Sequence, residues 1–156
     1  MKKLTAVVVI AAAVAAGIWY LEQPSDGVEP IAWNEATCAH CNMHIGDRRY
    51  AAQLQTDGGE VYNFDDPGCV FEWIETHSPS IRQVYFHHHR RQRWLGYHEV
   101  GFVRVEEPTP MGYGLGAVDA GAAPESMSFS EASSAVITGE IDPKKRGGGT
   151  AGSRTR

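Results

Sequence analysis

Polar and apolar positions change rhythm several times along the chain. From Leu4 to Leu21 the run is apolar and broken by no charged residue, and Lys2 and Lys3 precede it. A basic flank followed by an apolar stretch is the pattern of a secretory signal. The run is about 18 residues long, near the lower limit for crossing a bilayer. Trp19 and Tyr20 stand at its outer end, where interfacial aromatics belong. This predicts a signal anchor over residues 1–22, with the lysines on the cytoplasmic side and the rest of the chain outside. Cleavage near Ala13-Val14-Ala15 would instead give a secreted form. Residues 23–31 are rich in Pro, Gly and acidic side chains and read as a linker.

Beyond it the period shortens. Tyr50 to Gln55 alternates from Ala52 onward and predicts a strand. Asp57-Gly58-Gly59 is a turn signal, and Glu60 to Phe64 predicts the returning strand of a hairpin. Asp66 and Pro67 mark a helix start: Asp caps, and Pro at the first helical position loses no hydrogen bond. Val70, Phe71, Trp73 and Ile74 then follow at helical spacing up to about His77, before Ser78-Pro79. Arg82 to Phe86 reads as a strand and His87 to Arg91 as a solvated polar loop. Gly101 to Val105 and Leu115 to Val118 read as strands, joined through the turn-rich segment Pro108 to Gly114. Ser128 or Ser130 starts a last helix reaching Ile137. A weak echo links the halves, since each has a Met-containing segment, then strands, then Phe and a capped helix. From residue 143 to 156 the tail is basic and Gly-rich, without large apolar residues, and reads as disordered.

Composition narrows the function. The hydrophobic fraction of 42% and the four Trp suffice for a core over residues 32–142. The formal net charge of −5 argues against nucleic acid as a partner. There are three Cys, an odd number, so at least one thiol is left for packing, metal binding or redox chemistry. The chain carries no G-x-S-x-G, phosphate-binding Gly loop or H-E-x-x-H motif.

The densest chemistry is Cys38-Ala-His40-Cys41-Asn-Met43-His44. Thiolate and thioether sulfurs are soft and favour Cu(I), with which imidazole is compatible. Zinc rarely takes a thioether, so the Met tips the choice toward copper. A Cys-x-x-Cys outside the cytoplasm also forms disulfides, structural or redox-active. His40 and His44 are ligands or plain surface residues. Cys69 falls in the first turn of the Pro67 helix, where it is a small buried hydrophobe or an activated thiol. Capping alone explains Asp65 and Asp66. Met111 sits in a rigid Pro/Gly turn, presenting sulfur or plugging a gap.

Three segments in this order resemble the NosL family, accessory lipoproteins of nitrous oxide reductase maturation: Cys38-Ala-His-Cys41-Asn-Met43, Phe64-Asp-Asp-Pro-Gly-Cys69-Val-Phe, and Thr109-Pro-Met111-Gly-Tyr-Gly114. The resemblance spans roughly residues 32–137. It implies an α+β fold of two small β-β-α-type units (about 32–80 and 81–142), similar to the non-catalytic part of organomercurial lyase. It implies a periplasmic Cu(I) chaperone, not an enzyme, that supplies a copper-receiving metalloenzyme or its assembly proteins. Cys41 and Met43 match the family's Cys-Gly-Met core and inherit its ligand role. Met111 is next, and Cys38 or His44 completes the set. Asn42 departs from the usual Gly, a lipid-attachment Cys is missing, and Gly96 and Glu99 replace Ala-rich sequence. The competing reading is a thiol-disulfide oxidoreductase or lyase-like enzyme using Cys38, Cys41 and Cys69.

Overall fold

The structure, a computed structural model, describes residues 27–146 and, before them, residues 10, 13, 14 and 17. The expected anchor therefore lies almost wholly outside the described residues. Among those, no helix is long and apolar enough to cross a membrane.

The fold is α+β. A 3-10 turn (Arg48–Tyr50) leads into β1 (Ala52–Thr56) and β2 (Val61–Phe64), then α1 (Pro67–His77), β3 (Ile81–His87) and β4 (Trp94–Gly96). β5 (Val100–Arg104), β6 (Leu115–Asp119), α2 (Phe129–Ile137) and the short α3 (Pro143–Arg146) complete it. All strand pairs are antiparallel, in a four-stranded sheet ordered β2-β1-β3-β4 and a two-stranded ribbon of β5 and β6. β1 and β2 form the predicted hairpin, and Gly59 takes the left-handed conformation (φ 88°) that its turn requires.

Both major helices start where their caps dictate. Asp66 is extended and accepts from the Gly68 N–H, with Pro67 at the first position of α1. Ser128, rather than Ser130, caps α2 through a reciprocal box with Glu131.

Strand partnering differs from a division at residue 80. β3 pairs with β1, so β3 and β4 extend the first sheet and the change of sheet falls between β4 and β5. One core joins the two sheets. Phe71 (α1), Phe86 (β3), Phe102 (β5) and Phe129 (α2) meet largely edge to face, with Phe86–Phe102 centroids 4.9 Å apart and Phe71–Phe129 5.2 Å apart. Edge-to-face packing suits the ring quadrupoles, and each buried Phe contributes about 1.5–3 kcal/mol.

Two local expectations need correction. Gln53 and Gln55, polar positions of an alternating strand, are fully buried. β1 is a central strand, and the segment read as linker covers its second face. The Glu29 N–H donates to Gln53 Oε1 at 2.8 Å, Gln53 Nε2 donates to the Glu29 carbonyl at 3.0 Å, and Gln55 Nε2 donates to the Gly27 carbonyl at 2.8 Å. The His run is not a solvated loop. His87 ends β3, while His88 and His89 are buried against the second ribbon, where the His89 N–H donates to the Ala117 carbonyl at 2.9 Å. α3 occupies the start of the basic tail, and residues 147–156 lie outside the described residues.

Candidate metal centre

The Cys38–Met43 segment closes on itself. The Cys38 N–H donates to the Met43 carbonyl at 2.8 Å and the Asn42 N–H to the Cys38 carbonyl at 3.0 Å. This tight turn forces Asn42 to φ 61°. Left-handed backbone is costly for residues with a Cβ, but Asn tolerates it better than any side chain except that of Asp. That accounts for Asn standing where Gly is usual. The Ala39 N–H donates to the Asn63 carbonyl at 2.9 Å and fastens the turn to β2. The turn drives Cys38 into the core and leaves Cys41 half-buried at the rim.

A second wall comes from the start of α1. Asp65 precedes the cap, and Cys69 lies one turn in, fully buried. The Cys41 sulfur stands 3.5 Å from each Asp65 carboxylate oxygen, and the Cys69 sulfur 3.4 Å from Oδ1. One ligand atom each from Cys38, Cys41, Asp65 and Cys69 all lie within 4.8 Å of one another. Tetrahedral metal–thiolate bonds of about 2.3 Å set sulfurs roughly 3.8 Å apart, so this spacing suits a single ion after small shifts.

The third wall is the Pro/Gly turn. Asp66 accepts from the Gly68 N–H at 3.0 Å and from the Met111 N–H at 3.1 Å. Tyr113 is buried flat against Gly68, where an added Cβ would meet its ring carbon at 2.2 Å. The Tyr113 hydroxyl bonds to Glu72, which pairs with His40 Nε2 at 2.9 Å. The 108–114 turn, α1 and the Cys turn are thus tied together through side chains.

The thiols are electrostatically unequal. A hydrogen bond from the Cys69 thiol, helped by the backbone N–H groups of Cys41, Asp65 and His40, holds the Cys38 thiol down at about 4 against the opposing effect of burial. Of the three thiols, Cys38 is the one its surroundings most favour as thiolate. Burial pushes Cys41 up to about 12, reinforced by the Cys38 thiolate and Asp65. Cys69 is also raised, first because it gives its hydrogen to Cys38 and then by burial. Burial, then the Cys38 thiolate, raises Asp65 to about 6. The arrangement is a largely buried cluster of soft donors in which Cys41 is the most exposed member.

Of the residues singled out from sequence, Cys38 and Cys41 meet in this cluster. Met43 is 49% exposed, and its backbone N–H donates to the Cys41 sulfur. Met111 is half-buried beside Asp66. His44 is exposed, outside the group of four, with Nδ1 3.3 Å from the Glu35 carbonyl oxygen. Sequence reasoning missed Asp65 as a member, because capping already explained both aspartates. Cys69 was seen, but its place in the first helical turn equally suited a packing residue.

No family model matches the chain, and no curated protein matches it by sequence. Among solved structures it is similar to the copper chaperone NosL from Shewanella denitrificans, with TM-score 0.50 and 18% identity over 74% of this chain and 89% of that one. At that identity the likeness establishes architecture: the chain has a NosL-like α+β fold.

Proposed function

We propose that the protein is an extracytoplasmic Cu(I)-binding chaperone that delivers copper to a metalloenzyme maturation system. The observation that carries this reading is the convergence of three cysteine sulfurs and one carboxylate within 4.8 Å, with only Cys41 among the sulfurs reaching the rim. Soft sulfur suits monovalent copper, and Met43, bound through its N–H to the Cys41 sulfur, and Met111, bound through its N–H to Asp66, supply further sulfur near the cluster. The structural neighbour is itself described as a copper chaperone. The basic flank and apolar run at the N-terminus support tethering at the periplasmic side of the inner membrane, or secretion if the run is cleaved. Nitrous oxide reductase assembly is the recipient suggested by the family resemblance.

Cys41 and Met43 are the ligands of first encounter, with Cys38, Cys69 and Met111 available to complete the shell. Titrating reduced full-length protein with Cu(I) against a competing chelator should reveal one tight equivalent, abolished in Cys41→Ser/Met43→Ala. Unchanged affinity in that variant rejects the assignment. Thiol-disulfide exchange is poorly served by the same geometry. The nucleophile of an exchange enzyme is an exposed thiol with a lowered pKa, whereas here the lowered thiol is buried and the accessible one is raised. A disulfide-reduction assay giving turnover well above free thiol would reverse that judgement.

A further inference from the structure

The sulfur donors form two tiers that share one residue. Cys38 and Cys69 have no exposed surface, Cys41 is half-buried, and Met43 is 49% exposed. The hydrogen bond from the Met43 N–H to the Cys41 sulfur brings the root of the Met43 side chain beside that sulfur. The Met111 N–H is held at 3.1 Å by Asp66, whose neighbour Asp65 touches both Cys41 and Cys69. Met43 is thus rooted on the solvent side of the cluster and Met111, half-buried, on the far side of Asp66, each carrying a long flexible thioether.

Resting on the copper-carrier reading, we propose that Cys41 is the pivot of a two-stage Cu(I) relay. The outer stage is Cys41 with the thioethers of Met43 and Met111. The inner stage is Cys41 with Cys38 and Cys69, and the ion rests there. An ion held only by buried sulfurs is out of reach of an incoming partner ligand. An ion held only by exposed thioethers has neutral donors and is held more weakly than by anionic thiolates. Exchange without release needs one sulfur common to both stages, and only Cys41 meets that condition. In the inward step the copper–thioether bonds break and copper bonds to Cys38 and Cys69 form. Copper stays monovalent and no electron moves. Each thiol that still carries a proton gives it to solvent as its sulfur bonds copper.

The test uses reduced full-length protein labelled with selenomethionine and loaded with one equivalent of Cu(I). X-ray absorption at the copper edge should give an all-sulfur shell with no copper–selenium distance in the unmutated chain. A selenium neighbour should emerge in Cys38→Ser and Cys69→Ser. Those two variants should bind Cu(I) about tenfold or more weakly. Met43→Leu and Met111→Leu should slow transfer to the chelator about tenfold. Selenium in the resting shell of the unmutated chain overturns the relay and leaves the carrier reading standing. So does unaltered affinity in both Cys variants, or unaltered transfer rates in both Met variants. A chain that takes up no Cu(I) overturns the carrier reading itself. Because the selenium measurement is made on the native fold, it decides the matter even if the Cys variants do not fold.

Discussion

Replacing Gly68 by alanine reverses the usual effect of such a change in a helix. In an ordinary helix interior Gly→Ala gains about 1 kcal/mol. Gly68 lies in the first turn of α1, and Tyr113 is packed against it with 3% of its surface exposed. A Cβ there would stand 2.2 to 2.4 Å from three carbons of the Tyr113 ring. That is far inside contact distance, and the ring is enclosed, so it cannot swing aside freely. Overpacking of this kind costs about 1–3 kcal/mol. If the ring is expelled instead, its buried surface is lost, about 1.5–3 kcal/mol for a large side chain. Its hydrogen bond to Glu72 goes too, at about 1.5–3 kcal/mol for a charged acceptor. With the clash this close the overpacking cost falls at the top of its range, so after the propensity gain Gly68→Ala is destabilised by about 2 kcal/mol if the ring stays and about 2–5 kcal/mol if it is expelled. For a domain of this size that lowers the thermal midpoint by roughly 10 °C.

Thermal and urea unfolding of Gly68→Ala, Tyr113→Ala and the double variant make a cycle that isolates the contact. With the ring gone, adding the methyl group should cost nothing further, so the double variant should be as stable as Tyr113→Ala or slightly more so. Gly68→Ala as stable as the unmutated protein would refute the close packing. Strict additivity in the cycle would refute the attribution to Tyr113.

Asn42→Gly should be neutral within a few tenths of a kcal/mol, whereas Asn42→Ala should lose about 1 kcal/mol and weaken Cu(I) binding, because φ 61° penalises a Cβ that has no local compensation; urea midpoints and a chelator titration read both. Phe102→Ala removes a buried ring shared by both sheets and should cost about 3–5 kcal/mol in chemical denaturation. Burial raises Asp66 to about 6, so between about pH 4 and 6 the folded state keeps a proton that the unfolded chain has lost. Its contribution therefore rises as pH falls through that window, and metal-free protein should gain up to about 1.4 kcal/mol per pH unit on acidification relative to Asp66→Asn; parallel pH dependences of the two proteins refute this.

Much of the scaffold was legible because its signals are local. The Asp66-Pro67 start, the Asp-Gly-Gly turn and the Ser128 box each state their geometry within a few residues. The failures share a physical origin in long-range burial. Alternation at Gln53 and Gln55 reports the faces of a strand, not what later covers them, and the cover here is the backbone of residues 27–29. His88 and His89 read as polar loop because nothing nearby announces that the second ribbon runs beside them. For the site, Cys38 and Cys41 were legible from spacing and softness. Asp65 was not, since one adequate local explanation, capping, concealed a tertiary one.

The geometry also bears on how the proposed ion site is built into this fold. The Cys turn is fastened to β2, Asp65 and Cys69 flank the start of α1, and the Met111 turn is held by the cap of that helix. Three segments far apart in sequence thus meet at the start of one helix. The backbone N–H groups around Cys38 and the carboxylates beside it are fixed by the fold before any metal arrives, so little reorganisation opposes binding. What stays adaptable is the outer rim of Cys41 and the methionines. On the proposed carrier reading, the buried sulfurs would retain an ion and the exposed ones would meet a partner, the division that being both tight at rest and quick in transfer requires.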